Sequence, residues 1–160
     1  VLTDALHVMH NFEASDLDGD GQSEIIAASY EGVTWIRSNA QGAIELKRLG
    51  AGQEEPAPKR GASEIRAGKL AGGGNYIATI EPWHGDKVVV YVAPENWQQS
   101  NELWPHTVLD EQLAWGHAVA CANLDDDADQ ELVIGVRDID IVAVGRATHN
   151  VKIYWNQLVK

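Results

Sequence analysis

The sequence predicts an all-β domain assembled from repeats of one antiparallel unit, and two observations carry that reading. The first is a pair of acidic loops. Asp16, Asp18, Asp20, Gly21 and Glu24 stand in D-x-D-x-D-G-x-x-E spacing, and Asn123, Asp125, Asp127 and Glu131 repeat that spacing 107 residues later. The second is the short apolar run immediately after each loop, Glu24-Ile-Ile-Ala-Ala-Ser and Glu131-Leu-Val-Ile-Gly-Val, bounded by turn residues and too short for an ordinary helix. The loops therefore join strands.

Carboxylates at alternate positions of a tight turn converge on one point and repel one another unless a hard cation neutralises them. Ca²⁺, which takes about six to eight oxygen ligands, is the expected occupant. The candidate ligands are Asp16, Asp18, Asp20, Gln22 and Glu24 in the first loop, and Asn123, Asp125, Asp127, Asp129 and Glu131 in the second. An EF-hand is excluded, because its twelfth position needs a bidentate Glu and here falls on Ala27 and Ile134. The competing reading is a solvated acidic turn without metal. It is stronger for the second loop, where Asn123 replaces the first Asp and Ala128 replaces the glycine that eases the turn.

Sliding the chain on itself gives a period of about 53 residues, the length of one four-stranded β-propeller blade. Residues 1–10 align without a gap on residues 108–117, so His10 and His117 share one structural position. A third, degenerate copy lies between them: residues 67–77 occupy the loop register without a carboxylate, and Ile77-Ala-Thr-Ile80 replaces Glu24-Ile-Ile-Ala27. The first unit reads as strands at 11–15, 24–30, 33–38 and 44–49, with turns at Glu31-Gly32 and Gln41-Gly42. The second reads as strands at 62–67, 76–80, 87–92 and 104–109. Trp35, Tyr91, Trp104 and Tyr154 fall on strand positions and are expected to pack between sheets.

The expected organisation is a partial propeller of about three to four blades. Residues 1–9 read as the last strand of a preceding blade, 10–50 and 61–110 as blades, 115–138 as a blade start, and 139–160 as part of a further blade. The strand pattern that comes after the acidic loop at 131–136 recurs at 139–145, nine residues on rather than a full period. About 44 residues of one repeat are therefore expected to be missing between Asp138 and Ile139. Open edges attract partners, so either a homo-oligomer or the remainder of a longer propeller would complete the ring.

Composition narrows the function. With 44% apolar and 22% charged residues the chain can bury a core, and it has no apolar run long enough for a membrane span. A net charge of −12 without a basic run argues against nucleic-acid binding. The lone Cys121 excludes an internal disulfide and reads as a small core residue. The sequence does not open on a signal-peptide pattern, and because Val1 is not a natural initiator, processing or trimming stays open.

If the acidic loops lie at one end of the strands, the entries to the first strands and the turns between second and third strands lie at the other. That end gathers His10, Arg60 with Glu64 close by, and His117, together with Glu31, Trp83-His84, Arg137-Asp138, and Arg146 with Thr148-His149. Such a cluster suits an anionic or polyhydroxylated ligand, because Arg grips carboxylates and His serves as acid, base or metal ligand near neutral pH. The catalytic candidates are His10, His84, His117, His149, Arg60, Arg137 and Arg146; imidazoles also suit Zn²⁺ or another divalent metal.

The loops resemble those of FG-GAP/VCBS repeat propellers over nearly the whole chain. Residues 59–65, 77–85, Trp115-Gly-His-Ala118 and Gly145-Arg-Ala-Thr-His-Asn150 resemble more narrowly the propeller part of aldos-2-ulose dehydratase-like proteins. That resemblance implies a carbon–oxygen lyase, either a keto-sugar dehydratase or a polysaccharide lyase, with a carbohydrate ligand, structural Ca²⁺ and an extracellular or periplasmic setting. Such a β-elimination needs a base (His117 or His10), an acid (His84 or His149) and a cation for the enolate (Arg60, Arg137 or Arg146). The alternatives are a non-catalytic module that binds carbohydrate or protein, and an inert propeller fragment.

Overall fold

The computed structural model describes residues 1–136 and 151–154. The first sheet is an up-and-down meander of β1 (Asn11–Ser15), β2 (Glu24–Ser29), β3 (Gly32–Ser38) and β4 (Ile44–Gly50). A two-stranded ribbon comes next, β5 (Gln53–Glu54) with β6 (Arg60–Gly61). The second meander is β7 (Ile65–Lys69), β8 (Asn75–Glu81), β9 (Lys87–Val92) and β10 (His106–Asp110). The third sheet is β11 (Gly116–Ala122), β12 (Glu131–Val136) and β13 (Val151–Tyr154). All pairings are antiparallel, and no helix occurs among the described residues.

The β2–β3 hairpin is tight because Ser29 pairs directly with Gly32, whose φ is +94°. A Cβ at Gly32 would sit 2.3 Å from Gly50 O, so only glycine fits this crossing.

The sheets stack face to face with the second in the middle. Ile26, Ala28, Val33, Trp35 and Leu49 of the first sheet pack with Ile65, Ile77, Val89 and Tyr91 of the second. Trp97 and Trp104 complete this core through edge-on contacts, with Trp97 5.1 Å from Trp35 and 5.3 Å from Trp104. On the other side Tyr76, Ala78, Ile80 and Val88 meet Val119, Leu132 and Ile134 of the third sheet. Successive residues of β8 thus serve opposite cores: Ile77 points one way, Tyr76 and Ala78 the other, which is why this strand reads as continuously apolar.

The three first strands lie side by side, β7 between β1 and β11. Side chains bridge their exposed backbone edges: Ala67 N donates to Glu13 Oε2 at 2.6 Å and Lys69 N to Gln130 Oε1 at 3.0 Å. Asn75 Nδ2 donates to Leu17 O and the Tyr76 hydroxyl to Gln130 O, tying the second sheet to both acidic loops.

Two assignments differ from the repeat reading. Residues 1–9 form no strand, because their backbone turns onto β2: His10 N donates to Ala28 O and Tyr30 N to His7 O. Val151–Tyr154, assigned from the sequence to a further blade, pairs with β12 as the third strand of the third sheet. Lys152 Nζ and the Tyr154 hydroxyl both reach Asp110 Oδ2, at 2.6 and 2.7 Å, anchoring β13 to the second sheet. The expected join at Asp138 and the strand at 139–145 lie outside the described residues.

Candidate functional site

At the β1–β2 end the two loops share three internal hydrogen bonds at the 107-residue offset. Gly19 N donates to Asp16 Oδ1 at 2.8 Å, and Asp126 N to Asn123 Oδ1 at 2.8 Å. Gln22 N donates to Asp20 Oδ1, and Asp129 N to Asp127 Oδ1. Leu17 N donates to Glu24 Oε2, and Leu124 N to Glu131 Oε2. Gly19 and its counterpart Asp126 both adopt left-handed backbone, at φ +79° and +63°.

These bonds tie the carboxylates to the loop backbone, and in the first loop Gly21 N also donates to Asp16 Oδ2 at 3.1 Å. Asp16, Asp18, Asp20 and Glu24 each offer an oxygen within 4.8 Å of the others, as do Asp125, Asp127 and Glu131, so both groups can hold a metal ion. Burial, with Asp18 and Asp20 adding like charge, raises the Glu24 carboxyl above its ordinary value against the opposing Trp35 and Leu17 bonds. In the second loop the interaction between the neighbouring Asp127 and Asp129 carboxyls holds Asp127 below its ordinary value and pushes Asp129 above it. Asp129 Oδ1 is buried without a hydrogen-bond partner. Crowded carboxylates, one with an orphaned buried oxygen, are the electrostatic complement of a cation. Two expected ligands contribute differently: Gln22 turns its amide to Asp20, and Asn123 donates to Asp127 O.

The opposite end brings His10, His84 and His117 together. His10 precedes β1, His84 sits in the β8–β9 turn and His117 lies on β11. His10 Nε2 is 3.2 Å from His84 Nε2, and His84 Nδ1 is 3.2 Å from His117 Nδ1. His10 Nδ1, buried and without an aligned hydrogen bond, faces Glu64 Oε1 at 3.3 Å. Asn11 Nδ2 donates to the other Glu64 oxygen. His84 gives its two nitrogens to different histidines, so the imidazoles form a row and do not converge as ligands on one metal.

One proton per contact satisfies the row. In the tautomer where His117 Nδ1–H donates to His84, His84 Nε2–H donates to His10, and His10 Nδ1–H faces Glu64, each contact holds one proton. The exposed His117 then keeps a lone pair on Nε2, at the head of a path that ends on a buried carboxylate.

The turn that carries His84 is held from two sides. Gly85 N donates to Pro82 O at 2.7 Å, and Gly116 N to Gly85 O at 3.0 Å. A Cβ at Gly85 would lie 2.1 Å from Glu81 O. Beneath it the buried Glu81 accepts from the Tyr91 and Thr79 hydroxyls at 2.6 and 2.9 Å; burial raises its carboxyl while these bonds oppose the rise. Beside His84 opens a groove of about 500 Å³ whose walls include Trp83 and Trp115.

The other residues expected here divide. Arg60 turns away, its Nε donating to Tyr30 O at 3.1 Å. Glu31 is taken by the His7 ring and backbone, both at 2.8 Å. Arg137, Arg146 and His149 lie outside the described residues. Sequence reasoning gave no role to Asn11 and Trp115. The signal for Trp115 was an aromatic immediately before the strand-opening Gly116.

Comparison of the chain with protein-family models and with curated proteins returns no match in either.

Proposed function

We propose that the chain is part of a calcium-stabilised β-propeller of the FG-GAP/VCBS type whose histidine end acts on a carbohydrate by β-elimination. The observation that carries the chemistry is the row Glu64–His10–His84–His117. The propeller reading is supported by meanders stacked face to face with their first strands side by side.

Ca²⁺ suits the loops because their converging donors are all hard carboxylate oxygens. Asp16, Asp18, Asp20 and Glu24 would hold one ion and Asp125, Asp127 and Glu131 a second, with Asp129 Oδ1 available to it. The ion supplies charge neutralisation to loops that otherwise repel themselves. Such loops suit an extracellular or periplasmic setting.

In the elimination His117 Nε2 takes the proton next to the substrate carbonyl or carboxylate. The carbon–carbon double bond forms as the β carbon–oxygen bond breaks, and the leaving oxygen departs as a hydroxyl after accepting that proton from the imidazolium. Glu64, through His10 and His84, stabilises the imidazolium while it lasts. Arg60 is engaged elsewhere, so Arg137 and Arg146 are the proposed holders of the enolate. No step passes through Zn²⁺.

A second reading, a carbohydrate-binding module without chemistry, is favoured by the exposed indoles of Trp83 and Trp115. Ultraviolet absorbance of the unsaturated product separates the two, measured over a panel of keto-sugars and uronides with Ca²⁺ present. A rise that is lost in His117→Ala supports elimination; sugar binding without any rise supports the module.

A further inference from the structure

We infer that the groove beside His84 is a subsite for a neutral hexopyranose, seated on the indole faces of Trp83 and Trp115, and that it selects against uronates. The inference rests on the carbohydrate reading above and narrows it.

The first argument is exposure. Trp35, Trp97 and Trp104 are at most 7% exposed, whereas Trp83 is 40% and Trp115 62% exposed, and both line the same groove. Large rigid aromatic faces held in solvent are surfaces waiting for an amphipathic partner, and a sugar ring offers an apolar face of C–H groups with hydroxyls around its rim. The volume, about 500 Å³, falls within the range of small-molecule sites.

The second argument is preorganisation. Trp115 has φ +60° and His84 φ +50°, a left-handed conformation that bulky residues seldom adopt. Gly116 N to Gly85 O at 3.0 Å and Leu113 N to Asp86 O at 2.8 Å lock the Trp115 loop onto the Trp83–His84 turn. Strain held by a rigid frame fixes where the indoles sit.

The third argument is charge. The groove carries two ammonium groups, Lys59 and Lys87, and two carboxylates, Glu55 and Asp86; no arginine is among the described residues that line it. Lys87 already donates to Gln53 Oε1 at 2.9 Å. Hydroxyl groups can donate to both carboxylates and accept from the ammoniums, whereas a uronate adds a negative charge to a set that the two ammoniums and two carboxylates already balance, with no guanidinium fork to hold it.

The test is intrinsic tryptophan fluorescence of the full chain, titrated with a neutral glucose tetrasaccharide and with a galacturonate tetrasaccharide at matched ionic strength. The subsite predicts saturable binding of the neutral sugar, at least tenfold weaker binding of the uronate, a loss of tenfold or more in Trp115→Ala, and recovery of most of it in Trp115→Phe. Thermal unfolding of both variants checks that they remain folded. Equal or tighter uronate binding, no neutral-sugar binding, or parent-like affinity in Trp115→Ala overturns it. Product absorbance in the same samples is a separate readout. Neutral-sugar binding without product leaves the subsite standing and removes the elimination reading, and product from uronides alone does the reverse.

Discussion

At one end of these sheets carboxylate oxygens converge on a point; at the other, imidazole nitrogens line up in a row. Both arrangements come from the same repeated unit, since His10 and His117 occupy equivalent positions just as Asp16 and Asn123 do. The difference lies in how side chains leave the backbone. Alternate residues of one short loop aim inward together and build a cage. Single residues from the entries and turns of three successive sheets can meet only in sequence, and so build a path. A cage suits a cation, and a path suits a proton.

The largest expected effect that separates the two ends is His117→Ala. On the proposed elimination it should lower the rate by about 10²- to 10⁴-fold while leaving thermal stability nearly unchanged, because the ring is exposed. Steady-state rates beside a melting curve check this. Asp18→Ala should do the opposite. It should abolish the stabilisation that Ca²⁺ gives, about 2.7 kcal/mol at a hundredfold excess over Kd, and leave the rate on the histidine row intact below the melting temperature. Calorimetry with and without chelator reads it, and equal responses in parent and variant would remove the first loop as a metal site.

Asp110 tests whether the third sheet is anchored as described. Hydrogen bonds from Lys152, then from Tyr154 and Gln112, outweigh burial and hold its carboxyl at about 2, below the ordinary 3.8. A depressed carboxyl stabilises the fold above the ordinary value, and that contribution is lost as pH falls from 3.8 through about 2. Asp110→Asn should cost about 1 kcal/mol at neutral pH, modest because Lys152 is partly exposed, and should flatten that acid limb in denaturant unfolding. Smallest is Asp126→Gly, which gives the second loop the glycine found at Gly19. Relief of left-handed strain should add about 0.5 kcal/mol, read as a shift in the denaturant midpoint.

Strands with alternation or a β-branched run bounded by turn residues were legible in the sequence: 11–15 and 87–92 match β1 and β9 residue for residue. Register alone also assigned His10, His84 and His117 to one end. Where long-range backbone bonds decide, the sequence is silent. The expected strand at 62–67 starts later, at Ile65, because Ala62 N and Ser63 N are drawn to Ser29 O and Ile80 O. Arg60 looked like a site cation by position, but its guanidinium finds Tyr30 O in the β2–β3 turn. Asn11 looked like an ordinary strand residue until folding set it against Glu64. The groove was hidden for the same reason: Trp83 and Trp115 are distant in sequence, and long-range backbone bonds, Gly116 N to Gly85 O and Leu113 N to Asp86 O, join their turns.

The most direct measurement is the absorbance of unsaturated product formed by the parent chain and by His117→Ala on the same keto-sugar and uronide panel, with saturating Ca²⁺. A rise with the parent that vanishes in the variant, both remaining folded, is the predicted result. Equal rates in the two, or no rise on any substrate while sugar still binds, would contradict the claim that the histidine row performs elimination.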